Sequence, residues 1–353
     1  MDIGTANNEA LNLLRKLIAT PRTSRNESEA ADIIQQDLVA HGYEPQRIGD
    51  NILCIGHNYN PDRPAILLNS HIDTVKPVAT WTRNPYSPDI ENGRLYGIGS
   101  NDAGGSLASL LYSFYLKDAE VGNSNLIFLA TCQEEVSGIG GMRMMAGLLP
   151  PIDVALIGEP TQMQPAIAEK GLMVLDFEIH GKSGHAARSG GINAIYRAMC
   201  LINQIKEFQF EKSSALLGPV RMSVTMINSG TQHNVIPDLC TMTVDIRSNE
   251  FYSNTEILET IQHMLPEWCN VKPRSLDLNS SSIDTQHPLI QRSISLGLTP
   301  FGSPTLSDQS ILKCQSFKMG PGASDRSHTA DEYILLDELS EAIPLYMSIL
   351  NPF

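Results

Sequence analysis

Two adjacent carboxylates, Glu134 and Glu135, sit near the start of Thr131-Cys-Gln-Glu-Glu-Val-Ser-Gly-Ile-Gly-Gly141. The compact apolar run Asn125-Leu-Ile-Phe-Leu-Ala130 precedes them and reads as a buried strand. Two negative charges therefore arrive where a core strand stops. Buried without partners they would be costly, and their mutual repulsion would drive one of them to take up a proton. A bound cation relieves both problems. Neighbouring positions on an extended chain point in different directions, so one carboxylate can bind a metal while the other addresses the metal's water. A solvated Glu-Glu pair on a loop would look the same in isolation; the other motifs decide between the two.

The same placement recurs. The strand Ala65-Ile-Leu-Leu68 runs into Asn69-Ser-His-Ile-Asp-Thr-Val75, where His71 and Asp73 share one face of an extended segment. A carboxylate beside a histidine fixes its tautomer and leaves the other ring nitrogen for a metal. Asp102 follows Gly97-Ile-Gly-Ser-Asn and precedes a small-residue helix entry, Ala103 to Leu111, which it is placed to cap. This stretch lacks the third glycine of a dinucleotide fingerprint, and Gly181-Lys-Ser lacks the first glycine of a phosphate loop. Glu159 follows the strand Val154-Ala-Leu-Ile157. Strands alternating with helices predict an α/β layered fold, whose ligands gather at strand ends. His71, Asp102, Glu134, Glu135 and Glu159 all lie at such ends.

The elements that position them follow from periodicity. Helices are expected over residues 8–19, 28–40, 193–208, 255–265 and 288–298, from the glycine turn to 149, and from 336 onward. Residues 81–99 read as a long loop with a short hairpin. After Gly171 the strands alternate apolar and polar residues, over 172–179, 220–228 and 239–247, with helices between and after them. This order marks a small α+β domain over 172–283, inserted into a larger domain formed by 1–171 and 284–353. The 353 residues accommodate both.

Composition narrows the function. Hydrophobic residues make up 42% and charged residues 18%, as in a globular protein. A formal net charge of −14 argues against nucleic acid as a partner. No signal peptide is evident, and no apolar run approaches the roughly 18 residues of a membrane span. Six cysteines without a C-x-x-C pair read as reduced residues of a cytoplasmic protein.

The motifs SHIDTV, WTRNPYSP, GRLYGIGSNDAGG, TCQEEVSGIGG, IGEPT, KSGHAA, HNVIPD and GASDRSHTADEY occur in this order over nearly the whole chain. Together they resemble the metallopeptidase-type amidohydrolases, the family of acetylornithine deacetylase, succinyl-diaminopimelate desuccinylase, aminoacylase and carboxypeptidase G. The resemblance implies a mixed-sheet α/β/α metallohydrolase domain with an inserted ferredoxin-like lid and dimerisation domain. It implies a di-zinc centre, with Co²⁺ or Mn²⁺ able to substitute. His71 and Glu159 would hold one metal, Glu135 and His328 the other, and Asp102 would bridge. Asp73 would orient His71, and Glu134 would be the general base that activates the water. His185, from the inserted domain, would stabilise the oxyanion, in cis or across a dimer. Asn234 and Arg247 are candidates for substrate contact, with Arg188 a rival to Arg247. The chain departs from the family pattern at Ile98, where Arg is usual, and at Ala103-Gly104, where Met-Lys is usual.

The C-terminal motif is most similar to the acetylornithine deacetylase branch, which includes enzymes acting on N-succinylated citrulline or ornithine. The expectation is a cytoplasmic homodimer that hydrolyses the amide of a small N-acyl amino acid in arginine biosynthesis, with no membrane or nucleic-acid partner. Desuccinylase, aminoacylase and di- or tripeptidase activities remain alternatives within the family, and a silent metal-binding scaffold an alternative outside it.

Overall fold

Alternation along single strands builds the main sheet. In the computed structural model, which describes residues 1–120 and 122–351, Ile66, Leu68, Phe128, Ala130, Val154 and Leu156 point into one apolar core. Ala65, Leu67, Ile127, Leu129, Ala155 and Ile157 point into a second core on the opposite face. Period two over strands buried on both faces gives the near-continuous apolar runs seen in the sequence.

The strands Asn125–Thr131, Ala65–His71, Val154–Ile157 and Gln315–Lys318 are adjacent and parallel. Asn51–Ile55 joins antiparallel beside Asn125–Thr131, with Gln46–Ile48 antiparallel beyond it. Ala166–Glu169 pairs antiparallel with Gln315–Lys318 through its first residue. The sheet is mixed, as expected. Its parallel strands end on one side, so the residues that follow them share one rim.

The first core face is covered by the helices Ile3–Ala19, Ser28–Ala40, Gly105–Asp118, Pro288–Ser295 and Leu336–Ile349. The opposite face is covered more thinly, by Met142–Met145 and the short turn Asp308–Ile311. The helix expected up to residue 149 is thus a single turn. The first helix begins earlier than its leucine pattern indicates. Asp2 caps it, accepting from the Thr5 amide at 2.7 Å, and Ala6 and Ala10 extend the buried stripe with little hydrophobic signal.

Two compact units make up the chain. Residues 1–167, 282–301 and 307–353 form the first and contain the strands just described, of Ala166–Glu169 only the first two residues. Residues 168–281 and 302–306 form the second. Within the second, a four-stranded antiparallel sheet has the order Arg221–Ser229, Leu239–Ser248, Gly171–His180, Cys269–Pro273. The helices Ala194–Glu207 and Asn254–Met264 pack with it around Leu175, Phe177, Leu201, Val244 and Ile257. The order strand-helix-strand-strand-helix-strand is that of a split βαβ, ferredoxin-like arrangement.

Candidate metal centre

The rim of the parallel strands gathers the expected ligands of the first unit. His71 ends its strand and is 2% exposed. Its Nδ1 lies 2.9 Å from the carbonyl oxygen of Asp73, which favours a proton on Nδ1 and leaves Nε2 as the metal-facing atom. Nε2 is 3.2 Å from Oδ1 of Asp102. The other Asp102 oxygen, Oδ2, lies 3.5 Å from Nε2 of His328. That same His328 nitrogen is 2.9 Å from a carboxylate oxygen of Glu135. Donor atoms of His71, Asp102 and Glu135 all lie within 4.8 Å of one another.

Local backbone geometry differs from the sequence expectation at two points. Glu134 and Glu135 lie in a short 3-10 turn rather than on extended chain. Gln133 enters that turn in the left-handed region, at φ 58°. Its amide donates to Glu27 at 2.9 Å, and the glycine run folds back over it, Gly138 donating to its carbonyl at 2.9 Å. A Cβ on Gly141 would meet the Cys132 carbonyl oxygen at 2.0 Å, so only glycine fits there. Asp102 does not cap the following helix. That helix starts at Gly105 after a wide turn over Ser100–Gly104, in which Asp102 is extended at φ −116°, ψ 100°. Freed from capping, its carboxylate is shared between the two histidines.

Asp73, 0% exposed, sits beside His71 as expected, with Oδ1 3.6 Å from the ring nitrogen. Its closer contacts lie elsewhere. It accepts from the Glu134 amide at 3.0 Å, from the Glu135 amide at 3.2 Å and from the Ser24 hydroxyl at 2.6 Å. Asp73 thus ties the strand end bearing His71 to the turn bearing both glutamates. Asn101 ties the third segment in. Its amide nitrogen donates to the Ala323 carbonyl at 3.0 Å, and its oxygen accepts from the Ala323 amide at 2.9 Å. This anchors the loop that carries His328, itself in the left-handed region at φ 60°.

The electrostatics are those of a site short of positive charge. Burial pushes Glu134 well above the usual carboxylate range; His71 opposes this, and Glu159, Asp308 and Glu135 add to it. Burial likewise raises Glu159 to about 8, with His71 opposing and Asp102 adding. The hydrogen bond to Glu135 lifts His328 to about 9. Imidazoles and carboxylates in this number are the donor set of Zn²⁺ and similar divalent ions. A cation there removes the penalty that the raised acids express. The residues present therefore fit a metal centre.

Some contributors escape the motif reading. Asp308 accepts from the Thr131 hydroxyl at 2.5 Å and acts electrostatically on Glu134. Glu27, 0% exposed, holds the entry to the glutamate turn. Arg22 and Glu332 are buried among the backbone of the Asp102 segment. Glu332 lies inside the run TADEY, but nothing in the sequence separates it from a surface acid.

In the second unit, Gly184–His185 pairs antiparallel with Val235–Ile236, and the Ala186 amide donates to the Asn234 carbonyl at 3.0 Å. His185 and Asn234 are thus neighbours, both exposed. Arg188 is exposed in the same loop. Arg247 stands apart from them on the Leu239–Ser248 strand, its guanidinium donating twice to Asp245, at 2.9 and 3.2 Å.

Residues 67–351 match the model of peptidase family M20/M25/M40. The acetylornithine deacetylase of Yersinia pseudotuberculosis is 28% identical over 92% of each chain. The succinyl-diaminopimelate desuccinylase of a Wolbachia strain is 22% identical over 98% of this chain and 93% of its own. Among solved structures, a dinuclear metal-binding peptidase from Bacillus subtilis superposes with a TM-score of 0.74 at 17% identity, covering 99% of each chain. With the family model spanning most of its length and the donor set assembled at the rim of its sheet, the chain belongs to peptidase family M20/M25/M40 and is a metal-dependent hydrolase of that family.

Proposed function

We propose that this protein is a di-zinc deacylase that hydrolyses the amide of an N-acyl amino acid, N-acetylornithine or an N-succinylated citrulline or ornithine, in arginine biosynthesis. The observation that carries the two-ion reading is the divided carboxylate of Asp102, one oxygen toward His71 and the other toward His328 with Glu135. One ion would be held by His71 and Glu159, the other by Glu135 and His328, with Asp102 common to both. When bound, zinc ions supply Lewis acidity, polarising an amide carbonyl and making water acidic near neutral pH.

The chain's own residues do the rest. Glu134 takes the water's proton and passes it to the departing amine; the positive charge of the site when loaded would offset the burial that raises this carboxylate in the metal-free chain and keep it ionised as a base. Asp73 keeps the Glu134 and Glu135 amides in register with His71. In the second unit, His185 donates to the oxyanion and Asn234 to the substrate. Arg247 binds a substrate carboxylate in exchange for Asp245, with Arg188 its rival. The deacetylase relative supports the acetyl substrate and the desuccinylase relative the succinyl one.

The second unit serves as lid and homodimer interface in this reading. Its edge strand Arg221–Ser229 exposes Met226 and Ile227, at 56% and 49%, and an unpaired apolar edge invites a second copy. A cytoplasmic site is supported by six free cysteines, four of them buried. No helix among the described residues is long and apolar enough to cross a membrane.

The test is hydrolysis by the zinc-loaded protein of N-acetylornithine, N-acetylcitrulline, N-succinylornithine and N-succinylcitrulline. A kcat/KM ratio above about a hundredfold, near 2.7 kcal/mol of transition-state discrimination, identifies the substrate. Turnover of none of the four, with cleavage of di- or tripeptides, would overturn the deacylase reading.

A further inference from the structure

Two oppositely charged buried groups grip the segment that presents Asp102. Glu332, 3% exposed, gathers three backbone amides. Its Oε2 accepts from the Gly99 amide at 3.0 Å, and its Oε1 accepts from the amides of Asn101 and Asp102 at 2.8 and 2.9 Å. Arg22, 1% exposed, takes the carbonyls. Its Nη2 donates to Gly99 at 3.0 Å, its Nε to Leu17 at 3.2 Å and its Nη1 to the carbonyl of Ile72. Gly99 is therefore held by its N–H through an anion and by its C=O through a cation. Ile72 lies between His71 and Asp73, so the same guanidinium also reaches the strand end that carries the first histidine.

We propose that Glu332, braced by Arg22, is a positioning residue for Asp102, fixing that residue's backbone so that its two carboxylate oxygens face different histidines and thereby setting the metal affinity of the shared site. The inference rests on the reading of Asp102 as a ligand common to two ions. With its N–H anchored, Asp102 has fewer backbone motions that could displace its two oxygens. Metal donors need their positions held to within a few tenths of an ångström, so an unanchored segment costs affinity even when every ligand is present.

Packing alone does not call for this residue. A buried carboxylate is costly without partners, and an apolar side chain of similar volume would fill the same space. Three converging N–H groups instead require an acceptor with two oxygens. Glutamine offers one oxygen and one NH₂, so it sets a donor against one of the amides. Glu332→Gln therefore removes the anchor while nearly preserving shape, and Glu332→Asp keeps the charge but draws it back by one methylene.

The experiment is calorimetric titration of Zn²⁺ into the metal-stripped full-length protein. It compares wild type, E332Q, E332D and N125A at a temperature where circular dichroism shows all four folded. Asn125→Ala serves as the structural control, since it deletes part-buried hydrogen bonds from the start of the strand Asn125–Thr131 to the Asn60 and Arg63 carbonyls, at 2.7 and 2.9 Å. The expected result is a loss of about 10- to 100-fold in Zn²⁺ affinity for E332Q, a smaller loss for E332D, and wild-type affinity for N125A despite a lowered Tm. The visible spectrum of the Co²⁺-loaded protein should change in E332Q and not in N125A. Should E332Q fail to fold, R22K carries the same expectation, because an ammonium cannot span the three carbonyls. Wild-type Zn²⁺ affinity in the folded Glu332 and Arg22 variants would overturn the positioning role alone. Absence of Zn²⁺ binding by the wild type would instead overturn the metal reading on which it rests.

Discussion

Stripping the metal should make this protein less stable as the pH rises, the reverse of acid denaturation. The reason lies in the buried acids of the site. Glu159 has its pKa moved from 4.5 to about 8 by burial. A group whose folded pKa is raised holds its proton more tightly when folded. Its contribution to stability is complete below 4.5, the unfolded value, and is lost as the pH rises through about 8. Between about pH 6 and about pH 8.5 the linkage relation gives a loss on the order of 2 kcal/mol from this residue alone. Burial places Glu332 at about 7, so its loss has the same sign and falls earlier. His71 and His328 are also raised by their carboxylate neighbours and add in the same direction. Asp73 and Asp102 are held low despite burial, by the His71 hydrogen bond first among the opposing causes, and so contribute fully throughout the window. Bound zinc replaces those protons, so its stabilisation should grow with pH. Thermal melts followed by circular dichroism, with and without zinc across this range, read both trends. The metal-free Tm should fall by several degrees from about pH 6 to about pH 8.5, and the zinc-induced rise should widen. A metal-free Tm that stays level or climbs would show that these acids are not desolvated in the folded state, and the electrostatic reading of the site would fail with it.

Further outcomes follow from the same geometry. Glu134→Gln should retain zinc and lose kcat by roughly 10²- to 10⁴-fold; near-wild-type turnover in a stopped assay would remove Glu134 from the base role. Asp73→Asn should weaken zinc binding by about 10- to 100-fold in a competition titration, since an amide oxygen cannot replace a carboxylate toward the Glu134 and Glu135 amides and the Ser24 hydroxyl. Gly141→Ala must displace the Cys132 carbonyl, so metal content and activity should both drop while the helical signal persists. In the second unit, Arg247→Ala should raise KM for a substrate with a free carboxylate and leave kcat nearly unchanged. Phe317→Ala should destabilise the first unit by about 3–5 kcal/mol in denaturant titration, because removing its fully buried ring loses that burial and leaves a cavity in the core.

Legibility divides along physical lines. Local alternation and residue type determined the strands Ala65–His71, Asn125–Thr131 and Val154–Ile157 and the helix Ser28–Ala40, because a buried strand must be apolar wherever it lies and a helix must repeat its buried face. The same logic marked His71, Asp102, Glu134, Glu135 and Glu159 as polar groups delivered to strand ends, and it misplaced Asp102, which lies inside the wide turn Ser100–Gly104. It failed for Gln315–Lys318, which has a single apolar residue among four. That strand exists only because parallel pairing with Val154–Ile157 satisfies its backbone and closes the rim. The first helix outran its leucine signal because alanines complete its buried stripe.

Residue type and strand pattern therefore marked the candidate metal ligands and placed His71, Glu134, Glu135 and Glu159 just beyond or at the ends of parallel strands. How the carboxylates are shared depends on contacts between distant segments. Asp102 turned from a helix cap into a carboxylate between two histidines. The Asp73 carboxylate took the backbone of the glutamate turn as its main partner. Glu332 and Arg22, unremarkable as residues in a line, became opposed clamps on one peptide segment. Each of these depends on a carboxylate or guanidinium meeting backbone groups from a distant part of the chain. A pattern of residue types cannot encode such a meeting, because any acid or base of suitable reach would leave the pattern the same.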